Sequence, residues 1–203
     1  VLAGTNILYA GYADKTPFYV HALVSNTYIE SAWRCLDGGS QIAKLLMKQI
    51  VKNGGVVLKR KEVKKFIFND SILRFVELTN GDLYEAGKFI SNVHPQQTLG
   101  MIEQGRLRKA YRSRIESLDN TVSVFSVHLV LKPETFPYLN YNVYHYKQLD
   151  VWNTMHYTEE NWPLGYMIST SASSKSEKWA ENMTLMMYMN YEDVKHWEET
   201  YNT

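Results

Sequence analysis

Few residues of this chain stand at spacings that could do chemistry. There is no G-x-S-x-G elbow for a nucleophilic serine, no phosphate-binding Walker loop and no H-E-x-x-H zinc pair. The eleven glycines never complete a G-x-G-x-x-G dinucleotide fingerprint. Cys35, flanked by Trp33 and Leu36 with no histidine near it in sequence, reads as a buried thiol rather than a nucleophile. His145, Asp150 and His156 could be imagined as metal ligands. Their spacing matches no common site, and Tyr144, Tyr146 and Trp152 around them suit a packed aromatic surface better. His128, inside an apolar run, reads as a hydrogen-bonded core residue.

The remaining clusters have plain structural readings. Lys59-Arg60-Lys61 with Lys64-Lys65 is interrupted by Glu62 and overlaps a strand, as a charge-protected edge would. The group Arg106, Arg108, Lys109, Arg112 and Arg114 is partly balanced by Glu103 and Glu116. Asn69-Asp70-Ser71 and Asn182-Met183-Thr184 match the glycosylation sequon, taken here as chance matches. Asp37-Gly38-Gly39-Ser40 stands out. Glycines before a helix leave N–H groups free for an anion or a polar cofactor edge. On residue physics alone a tight turn into the helix is the preferred reading.

The elements that must position these residues follow from pattern. The 203 residues carry 22 basic and 21 acidic side chains, so nucleic acid is excluded as the main partner. One cysteine leaves no internal disulfide. Fifteen tyrosines, eight methionines and five tryptophans suggest a roomy apolar interior or groove. No apolar run is long enough to span a membrane. The chain opens Val1-Leu2-Ala3-Gly4 without Met, which suggests a piece of something longer.

Leu8-Tyr9-Ala10-Gly11 could end a helix. Thr16-Pro17 predicts a cap and first turn for a helix over about 17–25. Ser40 predicts a capped helix with apolar Ile42, Leu45, Leu46 and Ile50, closed by Asn53-Gly54-Gly55. Strands are expected at 56–58, 63–68, 72–78, from Leu83 and over 88–93, with a type I′ turn at Asn80-Gly81. Residues 96–117 look helical. Thr121–Leu131 is apolar on both faces and so predicts a central strand. Further strands are expected at 141–147, 165–171 and 183–189, then a polar loop at 171–178 and a closing helix at 192–199. The fold class is α+β, with a mixed or antiparallel sheet.

Read in order, Asp37-Gly38-Gly39-Ser40, the helix to Ile50, Asn53-Gly54-Gly55, Val56–Leu58, Glu62-Val63, Asn80-Gly81 and Phe89-Ile90-Ser91-Asn92-Val93-His94-Pro95 resemble one family. It is the phytoene desaturase, carotenoid isomerase and retinol saturase group of flavoproteins, within the flavin amine oxidase superfamily. Ser126–Leu131, Met167–Ser171 and Met183–Met189 agree in order. Val93 stands where that family usually has alanine, adding bulk at a close contact.

The resemblance implies an FAD-dependent oxidoreductase that desaturates, saturates or isomerises a polyene or isoprenoid lipid, with NAD(P) a further candidate cofactor. It places the backbone of Val63 at the adenine end of FAD. It puts Gly38, Gly39 and Ser40 near the flavin and substrate end, with Asn92 and Pro95 where the chain passes between cofactor and substrate domains. It divides the chain into a helical substrate-domain part (1–36), an FAD-domain helix and β-meander (37–95) and a substrate-binding part (96–203). The hydride chemistry belongs to the flavin, and no catalytic side chain is assigned.

The isolated chain is then expected to be inactive and to hold no FAD tightly. An apolar polyene, a membrane surface touched peripherally from the cytoplasm, and a second copy meeting it on the exposed cofactor-domain face are the expected partners. A non-enzymatic apolar-ligand or interaction domain is the rival reading.

Overall fold

A computed structural model describes residues 3–200, apart from the side chain of Glu199. The chain is α+β and forms two compact units, Val1–Lys48 with Thr121–Thr203 and Gln49–Asn120.

In the first unit, α1 spans Phe18–Glu30 and outruns its expected end. Thr27 Oγ1 donates back to the carbonyls of Leu23 and Val24, so this threonine continues the helix instead of stopping it. Its cap position is Pro17 rather than Thr16, whose hydroxyl accepts the Tyr12 N–H at 2.8 Å. The segment before Gly11 holds one short 3-10 helix, Asn6–Leu8. Helix α2 spans Ser40–Lys52, its last turn counted with the second unit, and Ser40 is its first helical residue rather than its cap.

A four-stranded antiparallel sheet follows in the order β4-β7-β6-β5: β4 Ser123–Val130, β5 Val143–Tyr146, β6 Gly165–Thr170 and β7 Asn182–Met189. The central position expected for β4 is not what forms. It lies at an edge, leaving Val124, Leu129 and Val130 exposed, because its two-sided apolar pattern records a preference for burial and cannot count neighbours. The closing segment is one α-turn, α5 Tyr191–Val194, and then a 3-10 helix over Lys195–Thr200.

This unit's core is Ile7, Met155, Met167 and Tyr188, with Leu8, Tyr12, Val122, Tyr144 and Met186 packed around it. Tyr188 on β7 donates its hydroxyl to the Asn6 carbonyl at 2.9 Å, and Tyr146 on β5 donates to the Gly4 carbonyl at 2.7 Å.

The second unit is the antiparallel meander β1 Val63–Asn69, β2 Ile72–Leu78 and β3 Leu83–Glu85, with α3 Pro95–Gly100 and α4 Lys109–Glu116. The β2–β3 turn is not type I′. Gly81 has φ 88° but Asn80 does not share the positive φ, and the Gly81 N–H donates to the Leu78 carbonyl at 3.0 Å, as in a type I turn closed by a glycine bulge.

Residues 56–58 and 88–93 form no strand. A strand exists only with a ladder partner, and none of the described strands pairs with them; Val56 and Ile90 stand exposed. The helical stretch after Pro95 breaks in two between Gly100 and Arg108, with Gly105 at φ 84°. Phe66, Leu78 and Leu99 are this unit's buried apolar residues. Among the described residues no helix is long and apolar enough to cross a membrane.

Replacing Tyr188 by Phe removes one of the two donors to the buried Asn6 carbonyl, which keeps the Tyr9 N–H at 3.1 Å, and leaves the ring in place. Urea denaturation should show a loss of about 0.5–1.5 kcal/mol, the net worth of one hydrogen bond; an unchanged midpoint would mean that the bond to Asn6 contributes nothing.

Candidate functional site

The six residues singled out for a cofactor divide evenly between the units. Gly38, Gly39 and Ser40 lie in the first, at the turn into α2, while Val63, Asn92 and Pro95 lie in the second. Val63 opens β1 opposite Leu78, Asn92 lies in the irregular stretch before α3, and Pro95 is the first residue of α3.

Around Gly38 and Gly39 the first unit builds a polar cleft. Asp37 (φ 61°) and Gly38 (φ 90°) are successive left-handed residues, which turn the chain sharply into α2. The turn is tied to the loop leaving β6. The Asp37 N–H donates to the Ala172 carbonyl at 2.9 Å, and its carboxylate accepts the Ser174 N–H at 2.8 Å and the Ser174 hydroxyl at 3.0 Å. The Ser174 N–H, and after it the hydroxyl, hold the Asp37 carboxyl below its usual range. Gln41 folds its amide back onto the Gly38 carbonyl at 2.9 Å and onto that of Leu36.

Further along the same loop, Glu181 accepts from Lys175 Nζ at 2.9 Å and from the Ser173 hydroxyl at 3.0 Å. Those donors, Lys175 first, lower the Glu181 carboxyl.

Arg34 closes the other side. Its guanidinium donates to the carbonyls of Thr170 at 2.5 Å and Leu139 at 3.2 Å and to Asn142 Oδ1 at 2.6 Å. Two recesses open here. One of about 360 Å³ is bordered by Asp37, Gly38 and the 171–175 loop. One of about 310 Å³ is bordered by Arg34, Cys35, Gly39, Asn142 and Met167. A Cβ added at Gly38 or Gly39 would meet no atom within 4 Å, so both glycines face open space.

By themselves these residues do not compose a whole FAD site. The cleft offers one guanidinium and a short glycine turn, and the chain has no glycine-rich loop to cradle a pyrophosphate.

Other candidates resolve structurally. Cys35 is half-buried in the cleft wall rather than fully buried. His128 is exposed, not a core residue, because β4 is an edge strand; it bonds Thr184 Oγ1 at 3.0 Å. His145 stacks on Tyr166 with ring centroids 4.8 Å apart. No group of three or more His, Cys, Asp or Glu among the described residues could hold a metal ion.

The basic runs are paired in part, Lys61 with Asp82 at 2.8 Å, Lys65 with Glu77 at 3.2 Å and Arg106 with Glu103 at 3.1 Å. Sequence reasoning missed Arg34, Asn142 and Ser174, because the Arg34–Asn142 and Asp37–Ser174 bonds join residues remote in sequence. The one local signal was a lone arginine set within Ala32-Trp33-Arg34-Cys35-Leu36.

Over 63 residues the chain is 33% identical to an all-trans-retinol 13,14-reductase of Danio rerio. The stretch covers 31% of this chain and 10% of that protein, so the match takes in about a tenth of the relative's length. No protein-family profile matches the chain, and no solved structure matches it. The similarity points to a distant relation with that oxidoreductase, and thus to an enzyme-like origin.

The Asp37–Ser174 bonds generate a pH dependence. Asp37 has an ordinary value of 3.8 and is lowered in the folded chain. Its contribution is therefore fully present above pH 3.8 and is lost as pH falls through the lower folded value. In an NMR titration the Ser174 amide shift should move with a midpoint below 3.8, and Asp37→Asn, which tolerates the left-handed backbone, should abolish the step. A midpoint at or above 3.8 would show that the carboxylate is not held by this loop.

Proposed function

We propose that this chain is part of an FAD-dependent oxidoreductase acting on a polyene or isoprenoid lipid, of the phytoene dehydrogenase or all-trans-retinol 13,14-reductase type. In this reading the chain lines the apolar substrate pocket and contributes one edge of the cofactor site through Gly38, Gly39, Ser40, Val63, Asn92 and Pro95. The observation that carries the reading is the 63-residue similarity to the retinol reductase. It is supported by the run of motifs from the Gly-Gly turn to Pro95.

Two structural features agree with it. Gly38 and Gly39 border open space that a bound molecule could enter closely. The apolar stripe of α2, Ile42, Leu45, Leu46 and Ile50, is exposed, as is Ile90 at 97%. An apolar stripe along one helix, as on α2, marks a face that something covers. The role of the chain's own residues is to bind and orient an apolar substrate and to exclude water.

The test uses the protein expressed from its complete reading frame. Flavin released on denaturation should be stoichiometric with protein, and incubation with all-trans-retinol or phytoene should give a product that differs in hydrogen content, read by mass spectrometry. Protein that carries no flavin and turns over neither lipid would overturn the reading.

Gly39→Asn separates function from fold. Asparagine suits the position before a helix, and its Cβ meets nothing, so stability should stay within about 0.5 kcal/mol of the parent. Turnover should fall about tenfold, the cost of roughly 1.4 kcal/mol at a close contact. Unchanged turnover would remove Gly39 from the site.

A further inference from the structure

Arg34 is the one element of the cleft that its structural role does not fully explain. It is half-buried, and the three oxygens it binds are two backbone carbonyls and a side-chain amide, all uncharged. Two other arginines that bind backbone carbonyls each have a carboxylate as well. Arg112, buried against the carbonyls of Leu99 and Ile102, has Glu116 at 3.3 Å, and Arg106 has Glu103 at 3.1 Å. Among the described residues no carboxylate lies within ion-pair distance of Arg34.

The two acidic groups of the neighbouring recess are already engaged, Asp37 by Ser174 and Glu181 by Lys175 and Ser173. A half-buried guanidinium that faces only uncharged oxygens keeps more N–H donors than three bonds use. Its planar fork matches a carboxylate with two parallel bonds.

We propose that Arg34 binds the carboxylate of an amphiphilic, apolar-tailed acid in the recess of about 310 Å³ that it borders. Ser169, Ser171 and Asn142 supply further polar lining there, while Cys35, Ala172 and the exposed edge of the core residue Met167 give the tail its apolar contacts. Leu139, Thr170 and Asn142 hold the guanidinium in place, so the fork is positioned before the ligand arrives. The inference rests on the preceding reading for the lipid character of the ligand. The carboxylate is read from Arg34 alone.

The experiment titrates the 203-residue chain with decanoate, decanol and acetate, reading the Arg34 Nε–H resonance and the fluorescence of neighbouring Trp33. Decanoate should bind at least about tenfold tighter than either comparison ligand and should shift the Arg34 signal. Its affinity should weaken with added salt. Arg34→Met should lose the preference for acid over alcohol, and Arg34→Lys should keep part of it.

Decanol binding as tightly as decanoate would overturn the proposal, as would decanoate binding that leaves the Arg34 resonance still. Acetate binding as tightly as decanoate would overturn the apolar tail and leave a bare carboxylate site. If Arg34→Met does not fold, the acid-against-alcohol comparison and the Arg34 resonance of the parent chain decide the matter. Acid binding in a protein that carries no flavin would sink the proposed function and leave this site standing.

Discussion

The first unit depends on two tyrosine hydroxyls that reach the N-terminal segment. Tyr146 on β5 and Tyr188 on β7 flank β6, and they donate to the carbonyls of Gly4 and Asn6. That closes the segment over Met167 and places Ile7 in the core. Asn6 must then be buried completely, at 0% exposure, which is tolerable only because its amide is used. Its Oδ1 accepts the Gly11 N–H at 2.9 Å and its Nδ2 faces the Val151 carbonyl. The same packing forces glycine at position 11, since a Cβ there would lie 2.4 Å from the Tyr9 ring. Burial raises both tyrosines, Tyr146 to about 12, so each stays a neutral donor across the physiological range.

From that closure the cleft follows. β6 carries Met167 into the core and ends at Thr170, whose carbonyl receives Arg34 and whose hydroxyl accepts the Leu139 N–H at 3.0 Å. Two residues on, the Ala172 carbonyl takes the Asp37 N–H, and Ser174 takes its carboxylate. The segment 34–41 is thus positioned by the end of one strand rather than by its own sequence. A change that loosens the tyrosine clamp would be felt at Gly38 through β6.

This division explains what could be read from the residues. Helix α2, strands β2, β6 and β7 and the polar loop at 171–178 were legible because each is a local pattern: an amphipathic stripe, a β-branched run, a cluster of serines. The edge place of β4 and the missing strands at 56–58 and 88–93 were not legible. Apolar side chains state that a segment favours burial, while a ladder is a property of two segments. The Gly-Gly turn could be recognised, but not its anchor at Ser174, 137 positions away. Arg34 was invisible for the same reason, since its oxygen partners lie 105, 108 and 136 positions distant.

Helix α2 joins the two themes of closure and exposure. It has 13 residues, a length at which an isolated helix is marginal in water. Its apolar stripe is exposed, with Leu46 at 61%, so the roughly 1.5–3 kcal/mol that each such side chain gains on full burial is largely unrealised. Whatever covers that stripe stabilises the helix, and with it the first turn, which Gln41 bonds back to Gly38.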